Sequence, residues 1–411
     1  MSAAAGAALA DAAHRGPVAR LVVGLGGLYV AQSVIGGVIF TGLPAVMRKS
    51  GASLDDIAFI LLTVLPWSFK FLWAPAVERF RSPHGGVRRS RSAIALFGAF
   101  AVGAVIACAL IGPTALGPLT VAMMVASFSS ATIDIACDGH AVESFAERDR
   151  GWANAAQVGG AYLGSAIGGG LFLVLIDHWG WQPATLVMAC ALVALAAPFL
   201  LTPDGAVAAR QDKPPQSLKQ ALKRPEIRSG LALVALYVLG QKVSMLLVGP
   251  FLVDAGLSLT AIGTLNGLGV TALGLAGALG GGWILRRIGA YRVMGWTLGI
   301  QMLVMLAFAV VAHLKLDAPV ALMAIYLASA GTLALGFVAL YSELMGRASL
   351  DQAGVDFTLF QSMDSIVSLV GWRIAGYAGD RLGYAACFAA AAVLALGVST
   401  LIPRFARAQA G

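Results

Sequence analysis

The chain has 411 residues, 59% hydrophobic and 12% charged, with a mean hydropathy of +0.83 and a formal net charge of +8. Soluble domains carry about 25% charged residues, so this composition excludes a soluble globular protein and indicates a polytopic membrane protein. The basic residues lie mostly in short loops between apolar runs, where they report topology and membrane-surface contact rather than nucleic-acid binding.

Residues 1–17 lack a charged segment leading into a short apolar core and cleavage site, so they read as a cytoplasmic tail rather than a cleaved signal. A bilayer-spanning helix needs about 20 apolar residues. Apolar runs of that order fall at 18–43, 56–76, 92–112, 119–141, 152–176, 182–201, 229–253, 260–285, 291–312, 320–341, 354–378 and 384–402. They predict an all-α integral membrane fold of about twelve helices. With both termini placed in the cytoplasm, 21 of the 28 Lys and Arg residues fall in inner loops and only Arg48, Lys49, Lys315 and Arg381 in outer ones. Such asymmetry favours an even number of spans with both termini cytoplasmic.

The Pro-rich, basic stretch 202–228 is the longest connection and divides the chain into bundles at 18–201 and 229–402, with a short tail at 403–411. Two internal matches support a duplication. Ser53, Leu54 and Ile57 recur as Ser258, Leu259 and Ile262, while Asp177, Gly180 and Trp181 recur as Asp380, Gly383 and Tyr384.

Several polar residues interrupt the apolar runs. Lys70 sits among Trp67, Phe69, Phe71, Leu72 and Trp73, and a charge at that depth costs at least about 2.5 kcal/mol without a partner. Asp134 and Asp138 are one turn apart on one helix face, with His140 and Glu143 just beyond. A buried carboxylate poised between desolvation and a nearby cation is suited to binding and releasing a proton. Two readings stay open for these groups: a static ion pair such as Lys70 with Asp134, or a gate or proton-coupling set that also includes Glu143. Lys242 in the seventh run stands nearer the midplane than Lys70. In the eleventh run Gln361, Asp364, Ser365 and Ser368 share a face, with Asp364 a further proton site or a counter-charge for Lys242. Gly160, Gly164 and Gly168, and likewise Gly263, Gly267 and Gly274, form small-residue steps that let helices approach closely. Four dispersed cysteines, Cys108, Cys137, Cys190 and Cys387, fit packing better than a disulfide or zinc site. Neither a phosphate-binding loop nor a zinc or dinucleotide signature occurs, so neither an enzyme nor a cofactor is expected, and a non-transporting sensor is disfavoured.

Two six-helix repeats joined by a long inner loop imply alternating access around a central site. Together with Glu78, Arg79, Arg88 and Arg89 after the second run and GWILRRIGAYR at 282–292, the chain resembles the major facilitator superfamily. Within it, FKFLWAPAVERF at 69–80 and SSATIDIACDGHAVESFAERDRG at 129–151 resemble the branch of AmpG muropeptide permeases and acetyl-CoA transporters. The compact length and the pairing of these motifs look most similar to its RhtX/FptX group of siderophore transporters. That resemblance implies a carrier of a bacterial inner membrane that imports a ferric siderophore, with muropeptide uptake as the alternative; the buried Asp134, Asp138 and Asp364 point to proton coupling, and a monomer is expected. It also implies a central cavity lined by Tyr29, Gln32, Tyr237, Gln241, Lys242, Gln361, Asp364 and Ser365, an inter-helix hydrogen-bond seam being the competing reading. The same resemblance places Gly160, Gly164, Gly168, Gly263 and Gly267 where the two bundles meet.

Overall fold

The computed structural model describes residues 3–43, 46–47, 61–83, 87–202, 216–257 and 264–407. Among them the fold is all-helical, with fourteen α-helices: α1 (Ala3–Gly37), α2 (Leu65–Phe69), α3 (Ala74–Arg81), α4 (Ser90–Ile111), α5 (Leu116–Ser144), α6 (Arg150–Ser165), α7 (Phe172–Trp179), α8 (Trp181–Leu201), α9 (Leu218–Lys223), α10 (Pro225–Asp254), α11 (Thr271–Ile288), α12 (Ala290–Leu314), α13 (Pro319–Arg347) and α14 (Ala353–Arg407). Nine helical segments among the described residues are long and apolar enough to cross a membrane. Large side chains on them point away from the protein, including Leu110 at 69% exposure and Val320 at 73%, as lipid contact requires of a chain this apolar.

The described chain separates into two compact units, one of Met1–Pro66 with Ala76–Pro215 and one of Trp67–Pro75 with Gln216–Gly411. In the first unit α1 packs against α6 and α8, and α4 packs against α5. Val34, Ile35, Cys108, Met123, Phe172 and Met188 are among the buried side chains that join these helices. Trp181 closes this core, its ring 5.9 Å from that of Phe172 and its Nε1 donating to the Cys108 carbonyl at 2.8 Å.

Two π-turns, Val38–Gly42 after α1 and Ala166–Leu171 after α6, lie side by side in this unit. Glycine makes the approach possible. A β-carbon at Gly164 would stand 2.4 Å from the Val30 carbonyl oxygen, and one at Gly168 would stand 2.1 Å from that of Val34. Gly160 likewise meets Tyr29. The close approach read from these glycines is therefore present, and within the first unit the helix they approach is α1. A β-carbon at Gly267 would meet no described atom within 4 Å, and Gly263 lies outside the described residues.

The second unit packs α10 and α12 on α14, and α11 on α13. Phe251, Phe308 and Phe388 form its aromatic centre, with ring separations of 5.3 to 6.1 Å. Its α14 contains a turn at Gly383 (φ 75°, ψ 169°) that matches Gly180 between α7 and α8 (φ 80°, ψ 177°). Only glycine adopts that region readily. The repeated Asp177-Gly180-Trp181 and Asp380-Gly383-Tyr384 thus mark the same helix-to-helix turn in each unit.

The run at 56–76 departs from the single helix expected there. Its first residues are outside the described set, and the rest divides into α2, a 3₁₀ turn at Lys70–Leu72, a turn at Trp73 and α3. Pro75 is the reason. It has no N–H to donate to the carbonyl four residues earlier, so α2 cannot continue through it, whereas the second position of α3 tolerates it.

Candidate functional site

Polar chemistry in the first unit is concentrated on α5. Between Ser127 and Asp138 this helix buries Ser127, Ser129, Ser130, Thr132, Asp134 and Asp138 inside an otherwise apolar span. Tyr29 of α1 donates its hydroxyl to Asp138 Oδ1 at 2.8 Å, and Gln157 of α6 donates Nε2 to the same oxygen at 3.0 Å. One position along, Gln32 Nε2 lies 3.6 Å from Cys137 Sγ. Tyr29 and Gln32 are thus brought together with Asp138, and both are buried in contacts between helices.

One turn further along α5 the chemistry changes. Arg81, at the end of α3, is fully buried and holds two carboxylates. Its Nη2 is 2.6 Å from Glu78 Oε1 and its Nη1 is 2.8 Å from Glu143 Oε2, both side chains being shielded from solvent. Ser90 accepts from Nη1 at 3.1 Å, and Arg88 approaches Glu143 at 3.5 Å. The two arginines and two glutamates sum to no net charge, which is what makes so deep a burial tolerable. Burial works against the Arg81 charge, but Glu78 and then Glu143 outweigh it and hold the guanidinium well above its ordinary pKa. Gly139 leaves the room, since a β-carbon there would stand 2.8 Å from Arg81 Nη2. Glu143 therefore belongs to an ion-paired anchor.

The second unit contains two comparable groups. Arg347, at the end of α13, donates to Glu343 at 3.0 Å, to the Tyr291 hydroxyl at 2.7 Å and to Ser229 at 2.5 Å, while Tyr291 donates to Glu343 at 2.6 Å. At the start of α14, Asp356 is held by Arg224, by Gln352 at 2.7 Å and by the Ser349 N–H at 2.8 Å. Sequence reasoning missed these arginine-centred groups, although Glu343 and Arg347 stand one turn apart.

Farther along α14, Tyr341 donates to Asp364 Oδ2 at 2.5 Å and Ser368 to Oδ1 at 3.3 Å. Gln361, one turn away, accepts a hydrogen bond from the buried Lys70, whose Nζ lies 5.4 Å from the Trp67 ring centre. Lys70 therefore groups with the eleventh-run stripe, a partner the sequence reading did not give it. Ser365 donates back to the Gln361 carbonyl at 3.2 Å. Tyr237 is 1% exposed, and its hydroxyl is 2.8 Å from Thr297 Oγ1. This hydrogen bond joins α10 to α12. Gln241 and Lys242 lie on α10, with side chains outside the described set. Among the described residues no group of three or more metal-ligating side chains occurs.

These features can be set beside known proteins. The family model described as Major Facilitator Superfamily matches residues 25–371. An Escherichia coli protein named anhydromuropeptide permease is 32% identical over 268 residues, covering 61% of this chain and 52% of the permease, so the chain spans about half that relative's length. A Rickettsia felis protein named as an AmpG 4 transporter is 26% identical over 382 residues, covering 87% of this chain and 90% of its own. Among solved structures, a bacterial homologue of the iron transporter ferroportin superimposes with a TM-score of 0.73 at 16% identity, covering 95% of this chain and 99% of the other. The E. coli fucose:proton symporter gives 0.70 at 15%, covering 95% and 98%. At such identities these two establish the fold alone. Helical architecture, the family match over most of the chain and the AmpG-type relatives agree: this chain belongs to the major facilitator superfamily.

Proposed function

We propose that this protein is a bacterial inner-membrane permease that imports a muropeptide-like sugar–peptide by alternating access, coupled to protons. The observation that carries the substrate class is the 32% identity to an anhydromuropeptide permease, joined by the relative named AmpG 4. The segments at 69–80 and 129–151 point to the same branch. Ferric siderophore import, the expectation from the RhtX/FptX resemblance, has no support among these relatives and gives way to the alternative. The likeness to a ferroportin homologue does not restore it, because 16% identity speaks only for the fold. In this reading the monomer has twelve spans, two six-helix bundles and both termini in the cytoplasm. Asp138 is the coupling carboxylate, Asp364 a second one, and Lys70 with Gln361 contributes to substrate contact or gating.

The test is uptake of radiolabelled anhydromuropeptide by cells lacking their own permease, with and without this chain, and with and without a protonophore. Accumulation that depends on the chain and collapses with the protonophore is the expected result. Chain-dependent uptake of a ferric siderophore, with none of the muropeptide, would overturn the substrate assignment.

A further inference from the structure

The hydroxyl groups of α5 divide into two kinds. Thr120 and Thr132 donate back to the carbonyls of Leu116 and Phe128, each at 2.8 Å, and are thereby satisfied. Ser127 and Ser130 are fully buried on the same helix, and neither hydroxyl has a hydrogen-bond partner. Gln157, which donates its amide N–H to Asp138, leaves its Oε1 buried and likewise without one. A buried polar atom without a partner costs about 1–3 kcal/mol, so these three call for an occupant.

Helix geometry puts them in line. At 100° per residue Ser130, Asp134, Ser127 and Asp138 fall within an arc of about 80°, and Ser127 to Asp138 extends about 16 Å along the axis. Along the axis the arc therefore carries two hydroxyls, Ser127 and Ser130, followed by two carboxylates, Asp134 and Asp138, with the Gln157 carbonyl at the Asp138 end. Water suits such a row, since each molecule both donates and accepts and settles where two to four polar partners converge.

We propose that this arc of α5 holds a file of internal water that carries protons to and from Asp138. The inference rests on the proton-coupled reading above. A proton arriving along the file forms an O–H bond on the Asp138 carboxylate and leaves neutral water behind. On the return that bond breaks, the proton passes back to the file, and the carboxylate regains its charge. Tyr29 and Gln157 hold Oδ1 throughout. The titratable groups around Asp138 are Tyr29 from α1, Asp134 and Cys137 from α5, and Arg81 beside Gly139. The titratable groups of α4, Arg91 and Cys108, lie near its two ends, and residues 61–64 contribute none. His140 is edge-on to Phe199 at 5.2 Å.

Infrared difference spectroscopy of the reconstituted full chain, through a pH step in H2O and D2O, tests this without needing a substrate. Wild type is expected to show a carboxylic-acid band that Asp138→Asn removes, together with internal-water bands that are lost in Ser127→Ala/Ser130→Ala. Each single serine variant should lose part of the water signal, and unchanged helical circular dichroism with a monodisperse elution profile in detergent would show that the variants fold. Water bands identical in wild type and the double variant would overturn the file while leaving Asp138 as the coupling group. No carboxylic-acid band from Asp138 would overturn both. Loss of the bands on adding sodium ions at constant pH would show a cation site in place of the water file.

Discussion

Among the described residues two settings of shielded carboxylate contrast, and each unit has both. Glu143 and Glu343 stand near the ends of α5 and α13 and are held by arginines, Arg81 from a separate helix in one case and Arg347 from the next turn of the same helix in the other. Asp138 and Asp364 lie deeper in their helices and are held by tyrosines, Tyr29 and Tyr341. A buried guanidinium needs a carboxylate partner, because removing that partner strands a buried cation. A tyrosine hydroxyl is an uncharged donor, so loss of its partner strands no buried ion. The contrast separates carboxylates held by a cation from carboxylates held by a neutral donor, and the second kind is where the proposed coupling places Asp138 and Asp364.

The strongest way to break the comparison is Arg81→Met, which leaves Glu78 and Glu143 buried together without their cation. It should cost about 3–5 kcal/mol and appear as a lower melting temperature in detergent and less protein in the membrane. An unchanged melting temperature would remove the anchoring role. Glu143→Gln keeps the shape and leaves Glu78 to neutralise Arg81, so a smaller loss of about 1.5–3 kcal/mol is expected, with the pH profile of uptake unaltered in form. A flattened profile there would place Glu143 with the coupling carboxylates. For Asp364→Asn we expect near-normal stability and counterflow but loss of accumulation against a gradient, read by comparing exchange with net uptake. Retained accumulation would confine coupling to Asp138. The mildest change, Tyr341→Phe, deletes one donor and should cost about 0.5–1.5 kcal/mol in thermal unfolding.

Much of this was open to sequence reading because bilayer physics is local. Apolar length marked the membrane segments, and the Gly180 and Gly383 turns announced themselves through their neighbours. Partners were harder. Asp138 and Tyr29 are 109 residues apart, and Lys70 and Gln361 are 291 apart, so nothing in either segment names the other. The glycine steps at 160, 164 and 168 encode how closely a helix can come, not which one. The break at Lys70–Leu72 escaped because hydropathy averages composition, whereas the interruption arises from one missing N–H at Pro75. The serines of α5 looked like ordinary small residues until their hydroxyls could be compared with those of Thr120 and Thr132.

The π-turn at Val38–Gly42 also changes how the first span should be numbered around its axis. Ile35, Ile39, Leu43 and Met47 are all buried in one core although they advance in steps of four, which on a straight α-helix would swing them through about 120°. The wider turn takes up much of that rotation. A cysteine-labelling scan along this span should therefore show its accessibility rhythm slip between Val38 and Gly42, and a helical wheel drawn straight through would assign the wrong residues to lipid.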